Sequence, residues 1–525
     1  MRGRIWLLVW LVGLVIGSVG GQDARVPGDL RFGVVEAFWH PEKAAELGVG
    51  WERILFYWNE IQPAGPQDWN TLHVLEEWLS EADSKGRQIV GLLEHTPAWA
   101  TDGNPISGVP RGLYLPIDDP ENLWANYVRR IADYYGPLGV HHWIIWNEPD
   151  IPSEVYGAEF EGSVADYYQM VKVAYQVMKA SDPQTVIHLA GLTYWHDVVS
   201  GREQYLRRFL QQASTDPEAA ANGYFFDLIS LHIYFRVETI PTIIGEMVAI
   251  QQEFGLDKPI WVDETNAAPT LDPLWPVDRP QFPVDLEQQA WFIIQAYALG
   301  FAAGADSMGV YKFSDVLVPP GAESFGLLRA DFSERPAFRA YQTTIRYLTG
   351  FNRVDWQAMD KFQRVTFHKP EGLVHILWAR TPAGGLFELA ATASTATLVM
   401  PDGQTSGLTA SDHAYLLTLE GARCEEECLI GGRPLIIVET IAPPATELSP
   451  AVSPSPIVPP TLPVLITPSP PPTATVAPAG TRQPTPSPLP PNYYAGLALL
   501  GFVLLCLFIL YRRIAIYRGR RHKTV

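Results

Sequence analysis

The stretch Trp143-Ile144-Ile145-Trp146-Asn147-Glu148-Pro149-Asp150 decides the fold. Four large apolar residues run directly into an amide, a carboxylate, a proline and a second carboxylate. A run that is apolar on both faces reads as a strand buried in a parallel sheet, and its polar end as the rim of a cleft. Residues 142–146 are one of eight such runs; the others are 30–35, 51–56, 88–93, 185–190, 226–232, 259–263 and 307–312. Amphipathic stretches separate them, at 69–84, 122–135, 164–180, 204–213, 240–254, 286–303 and 335–349, and these read as helices. Eight strand–helix units within 28–350 predict an α/β chain built on a (β/α)8 barrel. The alternative is an open doubly wound sheet. The sequence lacks the glycine-rich first turn of a dinucleotide-binding fold, which counts against that alternative.

Outside the barrel the chain changes character. Residues 351–440 carry short β-prone runs at 364–368, 373–379, 386–391, 396–400, 414–419 and 434–439, which predict a small antiparallel β domain beside the barrel. Residues 442–492 are a Pro/Ser/Thr-rich linker. Between 443 and 491 lie 18 of the 46 prolines, with Glu447 and Arg482 as the only charges. Such a segment buries no core and reads as a semi-rigid stalk reaching about 150 Å.

The two ends read as targeting segments. Arg2 and Arg4 precede an apolar run and then small residues, so 1–21 reads as a signal peptide; an uncleaved anchor is the alternative. Residues 493–511 are 19 uncharged residues, long enough to span a bilayer as one transmembrane helix. The basic tail 512–525 then lies in the cytoplasm and the body of the chain outside, tethered to the cell membrane by a single pass.

Charge narrows the partners. The formal net charge is −19, and removing the eight basic residues of the two ends leaves −27. A surface that acidic repels nucleic acid and anionic lipid, so no nucleic-acid partner is expected. A monomer is expected. Of the three cysteines, Cys506 falls in the predicted span, and Cys424 and Cys428 are either a disulfide or two free thiols.

In a (β/α)8 barrel the chemistry sits where the strands end. Arg53 lies in the second run and Asn59 follows it. Glu94-His95 close the third, and Asn147-Glu148 close the fourth. His232-Ile233-Tyr234 close the sixth, Asp263-Glu264 the seventh, and Tyr311-Lys312-Phe313 the eighth. Strands four and seven face each other across the mouth, so Glu148 and Glu264 form a facing carboxyl pair. Glycosidic bond cleavage needs such a pair, one carboxyl giving a proton to the leaving oxygen and the other acting ionised. Separation decides the outcome: about 5 Å retains configuration through a covalent intermediate, and roughly 6.5–9.5 Å inverts it.

With these motifs in view, the region 30–350 resembles the retaining glycoside hydrolases of clan A, families five and thirty-nine, cellulase-like or β-xylosidase-like. Asn147-Glu148-Pro149 after strand four and Trp261-Val262-Asp263-Glu264 on strand seven carry the likeness. The resemblance implies Glu148 as acid/base and Glu264 as nucleophile. It implies Asn147 on the sugar 2-hydroxyl, Arg53 supporting the nucleophile, and His95, His232 and Tyr234 as further substrate-binding residues. The implied partner is a carbohydrate substrate, with no cofactor and no metal. The sequence has no His-Glu-x-x-His spacing to suggest otherwise.

Trp99 and Trp195 follow strand ends and are candidate sugar-stacking platforms, with core packing as the alternative for each. Two features depart from the clan's pattern. Strand eight offers Tyr311, Lys312 and Phe313 where a tryptophan platform is usual, and Lys312 hints at an acidic sugar. Asp263 adjoins Glu264, and alternation along a strand predicts that only one of them faces the mouth. A binding or adhesion protein on the same barrel, without turnover, is the competing reading.

Overall fold

The eight apolar runs form eight parallel strands in the computed structural model of the chain, which describes residues 28–440 apart from 156, 320, 425 and 426. The strands are β1 (Phe32–Val35), β2 (Trp51–Tyr57), β3 (Gln88–Glu94), β4 (His142–Ile145), β5 (Val186–Leu189), β6 (Ile229–Tyr234), β7 (Ile260–Asn266) and β8 (Ser307–Val310). They pair in the order β5-β4-β3-β2-β1-β8-β7-β6. Parallel bridges His188–Leu228 and Leu192–Leu231 join the two ends of that order, so the ring is nearly closed. Helices cover its outside: α1 (Pro41–Leu47), α2 (Trp58–Ile61), α3 (Glu76–Ser84), α4 (Leu123–Tyr135), α5 (Val164–Ser181), α6 (Trp195–Val199), α7 (Tyr205–Ala213), α8 (Ile240–Glu253), α9 (Leu286–Ala302) and α10 (Pro336–Leu348). The expectations for the signal peptide, stalk, membrane span and cytoplasmic tail fall outside the described residues. Among the described residues, no helix is long and apolar enough to cross a membrane.

The barrel interior is filled, not hollow. Trp51 stacks on Trp261 at 5.2 Å, with Val90, Leu92, Ile144 and Leu228 around them. Gly33 and Gly309 lie against the Trp51 ring, and a Cβ at either would overlap the indole. This plug closes the lower end, so a ligand reaches the strands only from their C-terminal mouth.

Residues 353–440 add antiparallel strands β9 (Arg353–Ala358), β10 (Phe362–Lys369), β11 (Gly372–Ala379), β12 (Gly385–Ala390), β13 (Thr395–Val399), β14 (Thr405–Thr409), β15 (Ala414–Leu419) and β16 (Leu435–Thr440). They form a six-stranded sheet, β14-β13-β16-β11-β10-β9, and a β12–β15 pair. The sheet and barrel belong to one compact unit. Helix α9 explains why. It is apolar nearly all round, and such a helix must be covered on both sides. Phe301 on α9 meets Phe351 at 5.2 Å and Phe367 at 6.5 Å, and the Gln295 amide bonds to Gly431 N and Gly432 O at 2.9 and 2.8 Å. Cys424 and Cys428 form a disulfide.

Three details differ from the sequence expectation. The stretch 69–84 is helical only from Glu76, because His73 turns back to place Nε2 3.1 Å from both the Tyr57 amide and the Leu55 carbonyl. Strands β9 and β14 were not expected. Their residues are mostly exposed, so no apolar run announces them.

One buried acid lies outside the mouth and sets a pH dependence. Glu52 on β2 is fully buried against Arg87 at 3.1 Å, and burial, only partly offset by that arginine, pushes its carboxyl up to about 7. A carboxyl raised on folding contributes stability that is present below its unfolded value, near 4.5, and lost as pH climbs through about 7. Thermal unfolding at pH 5 and pH 8 is expected to show a smaller difference for Glu52→Gln than for the wild type. An unchanged difference would contradict this assignment.

Candidate active site

The opening stretch ends β4 with a change of backbone hand. Trp146 and Glu148 both have positive φ, 72° and 40°, in the left-handed region that side chains disfavour. Glu36, His95, Tyr194 and Phe235 do the same after β1, β3, β5 and β6, with φ of 61°, 69°, 62° and 59°. Strain of this kind gathers where a scaffold must aim side chains. Asp150, the second acid of the stretch, receives the Thr193 amide and hydroxyl, both at 2.8 Å, and so fastens the β4 turn to the end of β5.

Within the mouth, Glu148 and Glu264 approach across the ring. One carboxylate oxygen of each, together with a ring nitrogen of His232, all lie within 4.8 Å of one another. His232 Nδ1 is 2.7 Å from Glu148 Oε1 and 3.5 Å from Glu264 Oε2. The Arg53 guanidinium donates to Glu264 Oε1 and also to Asp263 Oδ2, the latter at 2.9 Å. The Tyr234 hydroxyl donates to Glu264 Oε2. Both Glu264 oxygens are therefore engaged, which fixes the carboxylate's direction. Glu148 takes one bond and has a side chain 20% exposed, so it is the member open to the cleft.

The electrostatics follow from three carboxyls around two cations. Burial alone would lower His232, but Glu264 and Asp263 outweigh it and hold the imidazole well above its ordinary pKa, so it is charged. Burial alone would raise Asp263, but His232 and Arg53 keep it below the usual carboxylate range. Burial and the Glu264 charge raise the Tyr234 hydroxyl well above its ordinary value, so it remains a donor. Gly191 makes room for His232: a Cβ there would collide with the imidazole. Two carboxylates and an imidazole are also metal-ligand types, yet Arg53 and Tyr234 already occupy the Glu264 oxygens, which favours the hydrogen-bonded reading.

The expectation that only one of Asp263 and Glu264 faces the mouth is corrected. Arg53 bonds to both, and His232 is 3.5 Å from each. The cause is an irregularity in β7. Its register shifts between Val262 and Thr265 against β8, and between Ser230 and His232 on the β6 side. An extra residue in a ladder breaks the two-residue alternation.

The remaining predicted residues divide. Asn147 sits beside the pair and donates to Glu159 Oε2 at 2.9 Å, leaving its own Oδ1 buried without a partner. His95 stacks on Tyr57 at 4.3 Å; burial pushes it down to about 4, so it is neutral. Trp99 is held by the segment that follows β2. Its indole N–H is spent on the Gln62 carbonyl at 2.7 Å, and its ring packs edge-on against Trp58. Trp195 instead lines a cavity of about 580 Å³ that borders Glu148. Lys312 pairs with Glu36 at 3.1 Å, so the cation behind the acidic-sugar hint is already neutralised.

Sequence reasoning gave no role to Glu94 and Glu159. Burial and the neighbouring Glu159 raise the Glu94 carboxyl well above the carboxylate range. Glu159 in turn receives Asn147. Glu94 ends an apolar run and could have been found there; Glu159, in a loop, carries no such signal.

The family model for the glycosyl hydrolase catalytic core matches residues 122–297. The enzyme expected from the facing carboxyls is therefore a glycoside hydrolase. Among solved structures, this hydrolase is similar to a family 39 glycoside hydrolase from Bacteroides cellulosilyticus, at 17% identity and a TM-score of 0.59, covering 78% of this chain and 81% of that one. It is also similar to an endoxylanase of family 30 from Clostridium papyrosolvens, at 12% identity and 0.53, covering 79% and 97%. A monomeric β-xylosidase from Caulobacter crescentus matches at 14% and 0.52, again covering 79% and 97%. At these identities the likeness is one of fold. No curated protein matches the hydrolase in sequence.

Proposed function

We propose that the protein cleaves O-glycosidic bonds of an oligo- or polysaccharide with retention of configuration. The observation that carries the reading is the approach of Glu148 and Glu264 carboxyl oxygens to within 4.8 Å, close to the ~5 Å separation of retaining enzymes and below the roughly 6.5–9.5 Å of inverting ones. Glu264 attacks the anomeric carbon as a carboxylate. The bond to the leaving oxygen breaks, and Glu148 gives that oxygen its proton. A water then enters, Glu148 takes a proton from it, and the resulting attack breaks the ester to Glu264. Arg53 and Tyr234 hold the nucleophile aimed through their bonds to its two oxygens. His232 bonds Glu148 Oε1, leaving Oε2 to carry the transferred proton. Asn147 Oδ1 is free to accept a sugar hydroxyl.

Two of the similar structures are an endoxylanase and a β-xylosidase, so xylosides are the first substrates to try, followed by glucosides and mannosides. Release of nitrophenol from such a panel tests the reading. A binding-only protein would retain glycans on an array and release nothing, and that result would overturn the proposal.

We further propose, from the sequence of the two ends, that the hydrolase is exported and tethered through 493–511. Protease treatment of intact cells is expected to remove the activity and spare the basic tail. Activity recovered in the cytosol would contradict this.

A further inference from the structure

Beside the carboxyl pair lies the cavity of about 580 Å³ that Trp195 lines. Its wall includes Glu148, His232 and Tyr234 but neither Glu264 nor Asn147. The asymmetry has a chemical meaning. The nucleophile must sit under the sugar it attacks, and the proton donor must reach the oxygen that departs. A space bordering the donor and not the nucleophile is where the departing group lies.

The cavity's remaining wall combines the apolar Phe235, Phe282 and Val199 with the polar Thr193, His196 and Gln281 and the Arg236 guanidinium. Phe235 and Phe282 meet at 4.8 Å, and the Arg236 guanidinium lies 5.7 Å from both the Trp195 and Phe282 rings. Phe282 comes from the long loop between β7 and α9. Arg236 would attract an anion, but Glu427 of the β domain pairs with it. The backbone holds that neighbourhood in place. Val237 N donates to Leu429 O at 3.0 Å, and Arg423 pairs with Asp285 and Glu287 at the start of α9, at 3.0 and 2.6 Å.

We infer that this cavity is the leaving-group site, that it takes a neutral group with a flat apolar face, and that the β domain enforces neutrality through Glu427 on Arg236. The inference rests on the proposed roles of Glu148 and Glu264. It makes the β domain a contributor to specificity rather than only a cover for α9.

A glycosyl fluoride provides the test, because fluoride leaves without filling the cavity and without a proton from Glu148. The probes are the aryl glycoside and the glycosyl fluoride of whichever sugar the nitrophenyl panel identifies. For Trp195→Ala, and for Phe282→Ala in case the first fails to fold, the ratio of aryl to fluoride kcat/KM is expected to fall about ten-fold or more, in line with lost aromatic contact. Glu427→Gln is expected to raise kcat/KM for a 4-carboxyphenyl leaving group over phenyl by roughly two- to five-fold, the scale of an exposed ion pair. Equal losses on aryl and fluoride substrates, or no change in either ratio, would overturn the inference while leaving the proposed function intact. No turnover of any sugar, fluorides included, would overturn both.

Discussion

Glu264→Ala is expected to lower kcat by about 10⁴-fold or more, the scale of losing a nucleophile outright. No neighbour can replace it. Asp263, its neighbour in sequence, is fully buried and bonded to Arg53 at 2.9 Å, with His232 at 3.5 Å. The variant should also reveal the nucleophile's place. The missing side chain leaves space between Arg53 and the sugar that a small anion such as azide can enter. One displacement by azide gives a glycosyl azide of inverted configuration. Full activity in the variant, or an azide product of retained configuration, would contradict the role of Glu264.

Glu148→Ala should behave differently, and the contrast separates the two carboxyls. General acid help contributes about 10²–10⁴-fold, but only where the leaving group needs a proton. A dinitrophenyl glycoside, whose leaving group departs unaided, is expected to form the covalent intermediate at nearly the wild-type rate and then stall. Loss on a phenyl or sugar leaving group should approach the top of that range. Azide should then take the place of water on the intermediate and give the retained glycosyl azide after two displacements. Equal losses on good and poor leaving groups would contradict the proton-donor role.

Both predictions depend on where two strands end, and this was legible in the sequence for a physical reason. Barrel strands are buried on both faces, so their runs are continuous and visible, and the polar residue that stops a run marks the mouth. Glu148, His232 and Tyr234 were read in this way, Arg53 lies inside its run and came from the family resemblance, and all four gather around Glu264. What alternation could not reveal was the irregular β7, which brings Asp263 in beside Glu264. The indole N–H of Trp99 bonds to the Gln62 carbonyl, a contact between loops that no local pattern encodes. Lys312 likewise reads as a free cation until Glu36, some 276 residues earlier, is folded against it. Edge strands β9 and β14 were silent because exposed strands need no apolar run.

The most direct test is the configuration of the first product. Proton NMR during the first minutes of hydrolysis, before mutarotation, distinguishes the two anomers of the released sugar. A 4.8 Å cluster of Glu148, His232 and Glu264 predicts the same anomer as the substrate. Release of the opposite anomer would mean that a water attacks directly, and would contradict the assignment of Glu264 as nucleophile.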